Sequence, residues 1–267
     1  MPLPRIVTFT TDFGIEDGFA AQMKGAALGV CPELHLVDIG HHVPPHDILA
    51  GAVQLRMAFA AFPPYTVHVA VVDPGVGSSR RGVVVRTENY YFVAPDNGIL
   101  SLVLDEEPAG SARVLEASHL RHPTVSPTFE GRDVFAPAAA WIARGISLER
   151  FGPEAGDLVR LDVPAFVPRA GESATARVLL VDRFGNVTLN VPRRALEMPD
   201  GRASKVRVRT SGTTVDELRR TYADAATEAP FLLFNSAGFL EIAVREGRAA
   251  ERLGLKAGDE VEVSVEL

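Results

Sequence analysis

An aspartate ends an apolar run, and an arginine follows seven positions later. Residues 66–72 are almost wholly apolar and β-branched; Asp73, Pro74, Gly75, Val76, Gly77, Ser78, Ser79 and Arg80 come next. The run predicts a strand covered on both faces. Pro74, Gly75 and Gly77 then demand a tight loop. A carboxylate and a guanidinium at a strand's carboxyl end can bind ribose hydroxyls, hold a metal or activate a water. They could equally close a surface hairpin as an ion pair. Asp12, Asp17 and the pair Asp96-Asn97 repeat the pattern at other expected strand ends. Each alone is an ordinary turn acid, but together they gather at one edge of one sheet.

Other residues invite chemistry less strongly. His41, His42, His46 and Asp47 suggest a metal. Neighbouring histidines do not easily share one centre, however, and Pro44 and Pro45 stiffen the path to His46, so no metal site is expected. Asp182-Arg183-Phe184-Gly185-Asn186 and the stretch from Asn235 to Ala243 could carry binding groups or be plain hairpins. The sequence has no P-loop, Gly-x-Gly-x-x-Gly fingerprint, serine elbow or His-Glu-x-x-His.

The elements that must position these residues follow from the apolar pattern. Strands are expected at 6–11, 34–39 and 66–72, with helices at 19–30 and from the Asp47 cap to about 62. This β-α-β-α-β order implies a parallel sheet with right-handed crossovers. Strands near 83–86 and 91–94, a short helix at 99–104 and a helix at 134–144 continue the first half. A Pro/Gly-rich linker is expected at 163–172. Beyond it the pattern turns to short strands at 176–181, 187–191, 206–209, 231–234, 239–244 and 261–265, with a turn at 199–201. The fold class is therefore α/β: an N-terminal α/β domain (1–162) with a mainly parallel central sheet, and a smaller antiparallel β-barrel or sandwich domain (173–267).

Composition narrows the function classes. The chain has 267 residues, 46% hydrophobic and 23% charged, as in soluble globular proteins. A net charge of −7 argues against nucleic-acid binding. A single cysteine, Cys31, precludes an internal disulfide. No apolar run is long enough for a membrane helix, no signal peptide is evident, and a cytoplasmic protein is expected.

Six motifs taken in order resemble the S-adenosyl-L-methionine hydroxide adenosyltransferases, relatives of the fluorinating and chlorinating enzymes. They are Thr11-Asp12-Phe13-Gly14, Asp73-Pro74-Gly75-Val76-Gly77 with Arg80, Pro95-Asp96-Asn97-Gly98, Gly131-Arg132-Asp133-Val134-Phe135-Ala136-Pro137, Asp182 to Asn186, and Asn235 to Ala243. The resemblance covers nearly the whole chain. It implies hydrolysis of S-adenosyl-L-methionine to adenosine and L-methionine by a water attacking ribose C5′, with no cofactor. It also implies a homotrimer with each site between two subunits. Asp73 and Arg80 would hold the water, with Arg80 lowering the pKa of Asp73. Asp12 would take the ribose hydroxyls, Phe184 and Tyr222 would sandwich adenine, and Asp182 and Ser236 would hold the methionine end. Asn186 and Phe129 complete the expected substrate contacts.

The chain departs from the family pattern at Glu130, where a histidine is usual, and at Arg245-Glu246 near the adenine position. Glu130 would either border the water pocket, sharing a proton or pairing with Arg80, or be turned away. Two other functions compete: a protein that binds S-adenosyl-L-methionine or adenosine with little turnover, and a metal-dependent hydrolase using His41, His46 and the strand-end acids. Halide transfer is disfavoured, because a carboxylate at position 73 would repel chloride or fluoride.

Overall fold

The computed structural model describes residues 5–163, 166–167, 172–196, 205–210, 212–225 and 228–266. The expected turn at 199–201, and residues 164, 165 and 168–171 of the expected linker, lie outside the described residues. The chain divides into two compact units, Met1–Asp162 and Val163–Leu267.

The first unit opens with β1 (Ile6–Thr11), α1 (Phe19–Val30), β2 (His35–Gly40), α2 (Ile48–Ala58) and β3 (Val67–Val71). Next come β4 (Gly82–Arg86), β5 (Tyr91–Pro95), α3 (Ser101–Leu104), β6 (Ser111–Val114) and α4 (Ala136–Ala143). The six strands form one sheet in the order β2-β1-β3-β5-β4-β6. β1, β2, β3 and β5 pair in parallel, whereas β4 runs antiparallel to both β5 and β6. The sheet is thus mixed, with its parallel part at β2-β1-β3-β5. Every residue of β3 is buried, as its apolar run requires. The side chain of Asp47 caps α2, its Oδ1 accepting from Ala50 N at 2.9 Å.

One helix start differs from expectation. Before α4 the chain makes a π-helical turn over Gly131–Phe135, where Ala136 N reaches back to Gly131 O. The reason is covalent. Pro137 has no N–H, so the Asp133 carbonyl four residues earlier gets no intrahelical partner. His122 N donates to it instead, at 2.8 Å. The widened turn leads out of Glu130, consistent with π-turns marking functional places.

The second unit comprises β7 (Ser173–Val181), β8 (Val187–Pro192), β9 (Lys205–Arg209), β10 (Thr214–Val215), β11 (Phe231–Phe234), β12 (Phe239–Ala243), α5 (Ala249–Leu253) and β13 (Glu260–Glu266). Its seven strands run β10-β9-β13-β7-β8-β12-β11, all neighbours antiparallel. They curl around a core that includes Val178, Leu189, Leu240, Ile242 and Val263.

Candidate active site

In the first unit, Asp73 leaves β3 directly into the loop. The turn closes through Val76 N to Asp73 O (3.3 Å) and Ser78 N to Gly75 O (3.1 Å). Gly77 sits at φ 78°, and a Cβ there would stand 2.8 Å from Pro127 O, so a glycine is required. Asn97 braces the strand end, its Nδ2 donating to Val72 O at 2.8 Å. The loop returns Arg80 onto Asp73: Nε donates to Oδ1 at 3.1 Å and Nη2 to Oδ2. The same Nη2 also donates to Glu130 Oε2. The guanidinium lies 5.4 Å from the centre of the Phe135 ring. Its remaining nitrogen, Nη1, is buried and finds no protein acceptor.

This is a buried charge cluster. The side chains of Asp73, Arg80 and Glu130 are 5%, 9% and 25% exposed, so an acid pair shares one cation. Burial pushes the Asp73 carboxyl above its usual range; Arg80 opposes that shift and the charge of Glu130 adds to it. Arg80 lowers the Asp73 pKa as expected, but desolvation outweighs the guanidinium and the net shift is upward. Of the two placements open for Glu130, the structure has it paired with Arg80.

Asp12, Asp73, Phe129 and Glu130 line one cavity of about 330 Å³, together with Phe13 and Phe19. Asp12 is fixed by His46 N, which donates to Oδ2 at 2.9 Å from a residue at φ 67°. Phe13, Phe19 and Phe129 pack edge to face with centroids 5.3–6.0 Å apart, forming an apolar wall. Of the other strand-end groups, Asp96 is structural, accepting from Arg81 and from Val159 N (2.9 Å). Asp17 is exposed and does not line the cavity.

Of the histidines considered for a metal, His41 has partners of its own. His41 is buried, with Nδ1 2.8 Å from Thr11 Oγ1 and Nε2 3.0 Å from Asp38. Among the described residues no three His, Cys, Asp or Glu side chains are grouped to hold a metal. No described helix is long and apolar enough to cross a membrane.

In the second unit, Asp182, Phe184, Asn186 and Tyr222 line a cavity of about 790 Å³ with Arg245 and Glu246. Phe184 and Tyr222 are 74% and 47% exposed at this cavity. Asp182 organises its own turn, accepting from Phe184 N (2.9 Å), Asn186 N (2.8 Å) and Asn186 Nδ2 (3.0 Å). Gly185 takes φ 84° there. Arg245 donates to Ala225 O at 2.9 Å, bracing the segment that carries Tyr222. Ser236 is exposed on the β11–β12 turn and is not among the residues lining this cavity.

One buried group here was not legible as a site residue. Glu241, 3% exposed on β12, accepts from Tyr222 Oη at 2.8 Å and from Asn235 Nδ2 at 3.3 Å. Its signal in the sequence is one acid inside the apolar strand Phe239-Leu240-Glu241-Ile242-Ala243.

Comparison with known proteins matches both units. The family described as SAM hydroxide adenosyltransferase matches through its N-terminal domain over residues 7–152 and its C-terminal domain over 176–262. An (R)-S-adenosyl-L-methionine hydrolase of Salinispora arenicola is 40% identical over 266 residues, covering 97% of each chain. A fluorinase of Nocardia brasiliensis is 31% identical over 97% of each. The crystal structure of an uncharacterized conserved protein from Thermotoga maritima superposes with a TM-score of 0.89 at 35% identity, over 97% of this chain and 99% of that one. Matched in both halves and over nearly its full length, the chain belongs to the SAM hydroxide adenosyltransferase family.

Proposed function

We propose that the protein hydrolyses S-adenosyl-L-methionine to adenosine and L-methionine. The observation that carries the proposal is the Asp73–Arg80–Glu130 cluster, opening on a cavity that also holds Asp12. In the reaction, a water oxygen bonds to C5′ as the C5′–S bond breaks. The bonding pair stays on sulfur, which leaves as a neutral thioether. One proton from the water must go to a base. With both acids ionised the cluster has a net charge of −1. It therefore favours the sulfonium cation and can accept that proton. Asp73, its pKa raised by burial, is the acceptor; Arg80 fixes it and offers Nη1–H to the water oxygen. Holding the water in line with C5′ can account for several kcal/mol of the barrier, up to ~7–11 in the best model systems. Halide is disfavoured as nucleophile by the two carboxylates.

The substrate contacts belong to the same proposal. Asp12 keeps Oδ1 for the ribose hydroxyls, and Phe129 supports the apolar wall. Phe184 and Tyr222 take the adenine between them, stacking worth ~1–3 kcal/mol per base, and Asn186 contacts its edge. Asp182 and Ser236 hold the methionine ammonium and carboxylate; a carboxylate can accept more bonds than its turn uses. We further propose a cytoplasmic homotrimer in which the second unit of a neighbouring subunit completes each site. Incubating the protein with S-adenosyl-L-methionine and separating products by chromatography tests the activity. Adenosine and methionine in equal amounts are expected. Binding without adenosine would replace the proposal with a binding protein.

A further inference from the structure

Glu241 lies in the middle of β12, a strand whose five residues are all buried. Removing a carboxylate from water is costly unless a cation or several hydrogen bonds compensate. Its partners are a phenol, an amide and a hydroxyl, from Tyr222, Asn235 and Thr188, and among the described residues no Lys or Arg pairs with it. The nearby charge of Asp182 adds to the cost. A Leu would fit this strand better, so the carboxylate calls for another explanation.

Its strongest contact supplies one. Tyr222 starts a single 3-10 turn, Tyr222–Asp224, closed by a reciprocal capping box between Thr221 and Asp224. Its ring is half exposed at the cavity wall and touches one aromatic neighbour, Phe231, edge-on at 6.5 Å. Such a ring has rotamer freedom that binding would have to remove. The 2.8 Å bond from its hydroxyl to Glu241 fixes its far end to the rigid sheet. Fixing a side chain in its bound geometry beforehand cuts the ordering cost of binding.

We propose that Glu241 is a positioning residue, which through the Tyr222 hydroxyl holds that ring in place as one wall of the site for a planar base. The inference rests on the proposed adenosine site, and it adds a residue to which no substrate contact was assigned.

The test combines adenosine binding by calorimetry with ultraviolet titration of Tyr222. Tyr222→Phe and Glu241→Leu should each weaken adenosine binding about 3- to 10-fold, the effect of one hydrogen bond. The double variant should bind no more weakly than either single one. Glu241→Gln, whose amide oxygen still accepts from the phenol, should recover most of the affinity. In the titration, taken as a difference from Tyr222→Phe, Glu241→Leu should let Tyr222 ionise at lower pH, because burial and Glu241 both raise its pKa. Losses that multiply in the double variant, or an unmoved Tyr222 titration, would overturn the inference. If Glu241→Leu does not fold, parent-like affinity in Tyr222→Phe overturns it. Failure of the parent to bind adenosine would overturn the proposed adenosine site instead, while the titration still decides the Glu241–Tyr222 link.

Discussion

Glu130 accepts a hydrogen bond from Arg80 Nη2, the nitrogen that also binds Asp73. One guanidinium thus joins two carboxylates, from the loop after β3 and from the π-helical turn before α4. The charge of Glu130 also acts on Asp73 through space.

That charge sets a pH effect. Glu130 contributes to raising the pKa of Asp73. In Glu130→Gln the contribution vanishes, the Asp73 pKa falls, and ionised Asp73 persists to lower pH. The acid limb of the pH–rate profile for adenosine formation should therefore move to lower pH. An unmoved limb would show that Glu130 has no electrostatic hold on the reaction.

Asp73→Asn keeps the shape and removes both the charge and the proton acceptor. The kcat for adenosine formation should drop ~10²–10⁴-fold, the usual contribution of a positioned acid or base. Adenosine affinity should stay within about threefold, since base and ribose contacts lie elsewhere. Single-turnover kinetics and calorimetry separate the two effects; equal losses in both would point to a collapsed site.

Glu241 gives a stability prediction with a definite sign. Its pKa is raised in the folded protein, chiefly by burial. The folded state therefore favours its protonated form. This contribution to stability is complete below the unfolded value, near 4.5, and is lost as pH rises through the folded value. Glu241→Gln does not ionise and avoids that loss. Its melting temperature relative to the parent should rise between pH 4 and pH 8. A constant difference across that range would contradict the assignment.

Gly185 is fixed by backbone and space together. It sits at φ 84°, and an added Cβ would lie 2.6 Å from Arg248 Cβ and 2.9 Å from its Cα. Gly185→Ala should cost ~1–3 kcal/mol of stability, the usual range for a strained backbone. It should also disturb the turn carrying Phe184 and weaken adenosine binding. Denaturant melts followed by the second unit's signal would measure it.

Much of the scaffold is legible in the sequence because its causes are local. Runs rich in apolar and β-branched residues mark β1 and β3, and Asp47 caps α2. The antiparallel place of β4 is less legible, because sheet order depends on which edges remain free after β5 docks. The partner of the Asp133 carbonyl freed by Pro137 is less legible, because His122 N comes from outside the helix. In the candidate site, Asp73, Arg80 and Asp12 stand out by strand-end spacing. The upward shift of Asp73 does not, because burial is set by the whole unit. Glu241 is hidden for the opposite reason: a lone acid in an apolar strand shows its partner only once the Tyr222 turn folds over it.

The measurement closest to the central claim follows the oxygen. S-adenosyl-L-methionine is incubated with the protein in ¹⁸O-labelled water and the products are analysed by mass spectrometry. Attack by an enzyme-held water on C5′ predicts adenosine carrying one ¹⁸O at the 5′ hydroxyl and unlabelled methionine. Adenosine without the label, or no adenosine at all, would contradict the account.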